Sequence, residues 1–385
     1  KEYIMAEARP AGGRVLTVPF VVGVIIILIA ALYLAKRFVY GLGPVTGMND
    51  GYPWGLWIAY DVNVGTAFAC GGYAMAVLIY IFNRFEYSPL LKPAILTSMF
   101  GYILGAVSVF IDIGRYWQMH NVFLPWYANI HSALLEVALC IAAYCLVLLI
   151  EFAPVILKRY PVKNLEVRLN RTLFIFVALG MLLPTMHQSS LGALMILAGA
   201  KLSPLWWSKL LPLFFLLGAM LLGYAIVIFE TSLSSVRFNN PQELKILRKL
   251  ANIVPWVLGA FIVMRIQDIN AQGALGLAFQ GDLAGNMFLV EMAFLIISFI
   301  LIAPPANRGN PKKVLWSAFC LLLGVGLYRF SSYIIGYDPG NGWHYFPTFG
   351  ELIITLGIIS VEILGYLWIV KRFPVLALPE RPQKA

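Results

Sequence analysis

Long apolar runs, each broken by a short cluster of Pro, Gly and charged residues, fill the chain from Val18 onward. A run that stays apolar for about 20 residues matches the hydrocarbon thickness of a bilayer once it is coiled as an α-helix. Ten such runs occur, at residues 18–38, 54–81, 92–114, 128–152, 170–187, 210–233, 248–268, 283–303, 313–333 and 348–371. The pattern predicts an all-α integral membrane protein, a single polytopic domain over 1–385. Two sets of four helices, the second to fifth (54–187) and the sixth to ninth (210–333), are then flanked by the first helix and by the last (348–371). Residues 187–200 are apolar but short, and Pro204, Trp206 and Trp207 behind them read as interfacial anchors of a re-entrant or surface segment. Lys1 to Pro19 runs straight into the first span, which reads as a membrane helix and not as a cleaved signal peptide.

Composition narrows the class. Apolar residues make up 61% of the 385 and charged ones 12%, against roughly 45–50% and about 25% in soluble domains. Lipid must therefore cover most of this surface. The net charge of +10 could suggest nucleic acid, but the basic residues gather at both termini and in alternate loops, such as Lys158 to Arg171 and Arg237 to Lys249. That bias is a topology signal: it predicts both termini in the cytoplasm and a bacterial inner-membrane location, with lipid and no nucleic acid as partner. The poorer face, with Lys36, Arg115, Lys201 and Arg265 among its few cations, is then periplasmic.

Cys70, Cys140, Cys145 and Cys320 show no Cys-x-x-Cys spacing, so neither an iron-sulfur cluster nor structural zinc is expected, and no metal site in this chain. His120, His131, His187 and His344 all map to the periplasmic side, whereas a haem pair stacked across the membrane needs histidines at two depths. The expectation is a chain without haem.

Ionisable side chains inside spans are costly, so each is a candidate for function. In the first set, Asp61 falls about two turns below the periplasmic surface, and Asp112 and Arg115, three apart, share a face and can pair. His131 starts the fourth helix with Glu136 one to two turns deeper, and His187 and Gln188 follow Pro184 at the end of the fifth. These residues are expected to converge on the periplasmic half of helices two to five, with nothing comparable in the cytoplasmic half. In the second set, Arg265 with Asp268, Arg329 and Glu351 lie at the periplasmic end, Glu291 and Glu362 deeper, and Glu230 near the cytoplasmic end. Carboxylates at graded depths suit a proton path, here Glu136, Glu230, Asp268, Glu291 and Glu362. Helix-to-helix hydrogen bonding is the competing account of each. Trp54, Trp57, Trp126, Trp206, Trp207 and Trp343 read first as an aromatic belt.

A pocket with a histidine, carboxylates and an ion pair inside apolar walls suits a molecule with an apolar body and oxygens that exchange protons. A quinone fits. The candidate catalytic residues are His187, Asp112, Glu136 and Arg115, and the candidate quinone contacts His187, Asp112, Trp54, Asp61, Tyr116, Gln188 and His131. A secondary transporter and a passive anchor for a periplasmic enzyme are the rival readings; the first would need discontinuous helices at corresponding places in two halves.

The runs Gly51-Tyr-Pro-Trp-Gly-Leu-Trp-Ile-Ala-Tyr-Asp61, Ile111-Asp-Ile-Gly-Arg-Tyr-Trp117 and Leu183-Pro-Thr-Met-His-Gln-Ser-Ser190, with Tyr345-Phe-Pro-Thr348 and Ile228-Phe-Glu230, resemble the NrfD/polysulfide-reductase membrane subunits. Within that family the likeness is to the membrane subunits of hydrogenase-2-type complexes, and it covers about residues 36–372. The resemblance implies a subunit that exchanges electrons with a periplasmic ferredoxin-like iron-sulfur subunit and with menaquinone or ubiquinone. It further implies the large and small subunits of a nickel-iron hydrogenase as partners, and places Asp112, Glu136 and His187 around the quinone, with Glu230 in coupling.

Overall fold

The computed structural model describes residues 8–162, 164–238 and 241–377. Lys1, Lys163, Arg381 and Lys384, which belong to the basic termini and the Lys158 to Arg171 loop, lie outside the described residues. Ten helices are long and apolar enough to cross a membrane: Val18–Tyr40, Trp57–Ile81, Phe85–Asp112, Ala133–Arg159, Val167–Ile196, Leu211–Ser235, Lys245–Ala271, Leu283–Ile302, Pro311–Tyr333 and Phe349–Arg372. They are called the first to tenth helices in that order. Ala8–Arg9 pairs antiparallel with Leu376–Ala377, so the two ends of the described chain meet on one face, here the terminal face. The other is the opposite face.

The first and tenth helices pack on each other, and the fourth on the fifth. The second packs against the third, sixth and ninth at once, so the two expected sets of four share an inner helix. Close approach makes this possible. A Cβ on Gly223 of the sixth helix would stand 2.5 Å from the Cys70 carbonyl oxygen, and one on Gly72 2.8 Å from Ser98 Oγ of the third. Without those methyls the backbones touch, and the Gly72 N–H donates to Ser98 Oγ at 2.9 Å.

The second helix is not the continuous α-helix that its hydropathy suggests. It is π-wound over Trp57–Gly65, α-helical over Thr66–Phe68, turned at Ala69 and Cys70, α-helical over Gly71–Ala76 and π-wound again over Val77–Ile81. Widened turns of this kind shift the side chains that follow and gather at functional sites. The fifth helix also departs from expectation. It does not end at 187, just past Pro184: the helix spans Leu165–Ile196 with the proline inside. Within a bundle the lost backbone bond is tolerated, and Thr185 and Ser189 bond back to the carbonyls of Met181 and Thr185, at 2.8 and 3.0 Å. His187 is thus held inside a helix.

The segment after the fifth helix is also different from an interfacial anchor. Trp206 is fully buried, and its indole N–H donates to Glu291 Oε2 at 3.0 Å. Trp57 is likewise buried inside the protein and not in a belt.

Candidate functional site: a buried polar knot around His187

Five helices supply one connected set of polar side chains in an apolar interior. Asn63, Thr66 and Cys70 come from the second helix, Tyr102 from the third, His187 and Gln188 from the fifth, Arg329 from the ninth, and the sixth gives the Phe215 carbonyl. Every one of these side chains is buried. Their bonds assign the proton positions. Arg329 donates to Gln188 Oε1 at 2.5 Å, so the Gln188 amide nitrogen faces the other way, toward Thr66 Oγ1 at 3.1 Å, Tyr102 Oη at 3.3 Å and His187 Nε2 at 2.9 Å. With an amide N–H and the Tyr102 hydroxyl, 3.2 Å away, both aimed at it, Nε2 is the acceptor nitrogen of a neutral imidazole. Nδ1 then carries the hydrogen and donates to the Leu183 carbonyl at 3.2 Å.

Arg329 is the charge at the centre of this knot. Its Nε–H donates to the Asn63 carbonyl at 2.8 Å and to Asn63 Oδ1 at 3.2 Å. One terminal nitrogen donates to the Phe215 carbonyl at 2.9 Å, and Asn63 Nδ2 returns a bond to the Arg329 carbonyl at 2.7 Å. The guanidinium carbon lies 4.5 Å from the Phe215 ring centroid. Neutral oxygens and a ring face, with no carboxylate bonded to it among the described residues, hold this cation, which leaves a net positive field beside His187.

A second line of polar groups follows one face of the third helix, along Thr97, Gly101, Gly105 and Ser108. Thr97 Oγ1 donates to both Glu230 oxygens, at 3.0 and 2.9 Å. The Glu362 carboxyl lies 3.6 Å from where a Gly101 Cβ would be. Asp61 Oδ2 accepts from Ser108 at 3.1 Å and from Thr355 at 3.2 Å. Glu230, Glu362 and Asp61 are therefore arranged at successive depths.

The structure separates other residues expected together. Asp112 does not pair with Arg115. The third helix ends at Asp112 and the chain swings out, leaving Arg115 exposed, while Arg37 of the first helix bonds the carbonyls of Ile111 and Ile113 at 2.6 and 2.5 Å. Asp112 Oδ1 is buried with no hydrogen-bond partner among the described residues. His131 lies exposed in the loop before the fourth helix, and Glu136 is exposed in its first turn, where it faces the helix dipole and not the His187 knot. Nor does Arg265 pair with Asp268. It bonds Glu291 at 2.8 Å, and Asp268 accepts from Gln272 at 3.0 Å. Glu291, closed in by Arg265 and Trp206, is a locked partner and no open step of a path.

Trp54 and Tyr116 stand on the opposite face. Trp54 Nε1 donates to the Tyr333 carbonyl at 2.9 Å, and Tyr116 stacks edge-on with Phe38 at 4.9 Å. Close to Trp54, Glu351 seals the start of the tenth helix: Thr348 and Glu351 form a capping box, and Glu351 Oε2 also accepts from the Gly47 N–H at 2.8 Å. Tyr345 donates to Glu351 Oε1 at 2.5 Å and accepts from the Leu56 N–H at 2.7 Å. Burial, and then the bonded carboxylate, push the Tyr345 hydroxyl well above its ordinary range.

Sequence reading missed Tyr102, Asn63 and Thr66 as members of the knot. It also missed Glu151 of the fourth helix, which lies in the terminal half that was expected to hold no ionisable group. The available signal was the same in each case, a polar side chain inside an apolar span.

Residues 44–337 match the family described as Polysulphide reductase, NrfD. The chain belongs to the NrfD family. It is 42% identical to the probable Ni/Fe-hydrogenase 2 b-type cytochrome subunit of Escherichia coli K12, over 96% of this chain and 95% of that one. It is 29% identical to the integral membrane subunit of menaquinone reductase of Nitratidesulfovibrio vulgaris, over 92% of this chain and 89% of the other. A selenate reductase subunit of Mesobacillus selenatarsenatis is 22% identical, over 84% of this chain and 86% of the other. These relatives are membrane subunits of oxidoreductases, and this NrfD protein is a multi-pass membrane protein of that kind.

One expectation is overturned by these names. The chain was read as having no haem, yet a relative matched over nearly its whole length is named a b-type cytochrome subunit, and the expected absence is withdrawn. The side chains that would hold such a group are the histidines. His187 is buried with both ring nitrogens bonded, whereas His120, His131 and His344 are exposed on the opposite face. As arranged, the four do not offer two facing axial ligands, so no step below is routed through a haem.

Proposed function

We propose that this NrfD-family protein is the quinone-reactive membrane subunit of a respiratory oxidoreductase. It passes electrons between an iron-sulfur subunit docked on the opposite face and menaquinone or ubiquinone near that face, in a complex with a nickel-iron hydrogenase. The charge bias of the loops supports a periplasmic opposite face and cytoplasmic termini. The observation that carries the reading is the His187 knot: a neutral imidazole, two hydroxyls and an amide held beside an arginine whose charge no carboxylate neutralises. A quinone oxygen gains negative charge as electrons arrive and needs a proton to follow. Arg329 supplies the favourable field, and the Tyr102 and His187 pair holds a proton that can be donated and replaced.

Other residues fit around this centre. Trp54 and Tyr116 form apolar walls on the opposite face, and Asp112, with an unbonded buried oxygen, faces the same end. The line of Glu230, Glu362 and Asp61 along the third helix supports coupling to proton movement. The broken second helix is what the transporter reading requires on one side, but its counterpart, the sixth, is a continuous helix over Leu211–Phe238, which favours the redox reading.

The test is purification in mild detergent followed by assay. An iron-sulfur subunit is expected to copurify, and the complex is expected to reduce an added short-chain quinone from a reduced dye or hydrogen. Copurification without quinone turnover would leave only the anchor reading, and the absence of both would exclude the oxidoreductase role.

A further inference from the structure

Glu151 is a carboxyl in the terminal half of the fourth helix that the reading above does not use. It lies about 27 Å along the fourth helix from Ala133, at 1.5 Å per residue, toward the terminal face. Among the described residues it has neither a hydrogen-bond nor an ion-pair partner. Its neighbour is Gly180 of the fifth helix, where a Cβ would stand 2.6 Å from Glu151 Oε1, so the carboxyl occupies space that only glycine leaves. Pro184, four residues on, has no N–H to give the Gly180 carbonyl. An acceptor without its helical donor thus sits beside a carboxyl with no donor of its own, and a protonated Glu151 satisfies both.

The carboxyl lines a narrow cleft of about 10 Å³, room for about one water, together with Tyr80, Tyr144, Gly72 and Gly180. Tyr144 lies seven residues before Glu151, on the same face of the fourth helix, and is 1% exposed. Its hydroxyl has no hydrogen-bond partner among the described residues. Its ring packs edge-on against Tyr102 at 4.5 Å, and Tyr102 bonds His187 Nε2. Two tyrosines in ring contact therefore join the cleft to the His187 knot.

We propose that Glu151 is the proton-loading carboxyl of the His187 knot, taking protons from the terminal face through this cleft. This rests on the quinone reading. Only protons move along the route: Glu151 releases one toward Tyr144 through a water in the cleft, and is reprotonated from the terminal side. The electrons, and the two O–H bonds formed on the quinone, belong to the quinone step. Glu151 acts through Tyr144 and Tyr102, so it is a relay and not a catalytic residue.

The test uses the intact complex in vesicles with a pH dye on the terminal side, a reduced dye as electron donor and a short-chain quinone as acceptor. Absence of quinone reduction by the wild type would remove the quinone reading itself. Given wild-type turnover, Glu151→Gln is expected to slow quinone reduction at least tenfold, to raise the solvent deuterium isotope effect, and to leave dye oxidation by the partner subunits unchanged. Tyr144→Phe is expected to act the same way, and Glu151→Asp to restore at least half the rate. Wild-type turnover and proton uptake in Glu151→Gln would overturn the proposal. Equal loss in Gln and Asp variants with an unchanged isotope effect would do so too, because it would mark a packing role.

Discussion

Two buried arginines, Arg329 and Arg265, are handled in different ways. Arg265, between the seventh and eighth helices, faces Glu291, which also accepts from Trp206, while the Leu205 carbonyl takes another N–H at 2.9 Å. The charges cancel, although Arg265 Nε has no hydrogen-bond partner among the described residues. Arg329 is held by carbonyls, amides and the ring of Phe215, and its charge is left to act on whatever enters beside His187. Protein interiors accept a cation either way, but only the second keeps a field for chemistry. The backbone differs in the same sense: Arg329 lies against the π-wound second helix, while Arg265 and Glu291 stand on regular helices.

The largest expected effect breaks the closed pair. Arg265→Met or Glu291→Leu alone strands a buried charge and should cost about 3–5 kcal/mol of stability, most of it recovered in the double variant. Thermal unfolding in detergent measures this, and quinone turnover per folded complex should stay within twofold of wild type in the double variant. A large turnover loss there would erase the distinction between the two arginines.

His187→Ala comes next. Quinone reduction should fall on the order of 100-fold, the scale of a lost proton-transfer group, while hydrogen or dye oxidation by the partner subunits survives. Loss of both would mean failed assembly, and loss of neither would remove His187 from the site. Arg329→Lys keeps the charge but not the fork that spans Gln188, Asn63 and Phe215. Turnover should drop roughly tenfold, equivalent to about 1.4 kcal/mol, with the complex still assembled. The smallest effects are expected from Arg115→Gln and Glu136→Gln, exposed and outside the knot, each within about 0.5 kcal/mol in stability. A tenfold turnover loss in either would return it to the candidate site.

Residue order alone was enough to show that lipid covers this chain, that ten helices are long and apolar enough to cross it, and that the chain belongs to the NrfD family. Those properties are additive along the chain: twenty apolar residues are a span whatever surrounds them. His187, Gln188 and Arg329 were visible as costly residues for the same reason. What each polar group faces was decided by the tertiary structure alone. Spacing of three suggested Arg265 with Asp268 and Asp112 with Arg115, but Glu291 takes Arg265 and Arg37 takes the carbonyls of Ile111 and Ile113 beside Asp112, from helices that local spacing cannot bring into view. The fifth span read as ending at 187, just past Pro184, where a lone helix would lose a bond, whereas packed helices carry it onward. Glu151 gained its meaning only where Gly180 of another helix made room for it. Helical periodicity fixes which residues share a face; the packing of ten helices fixes what that face meets.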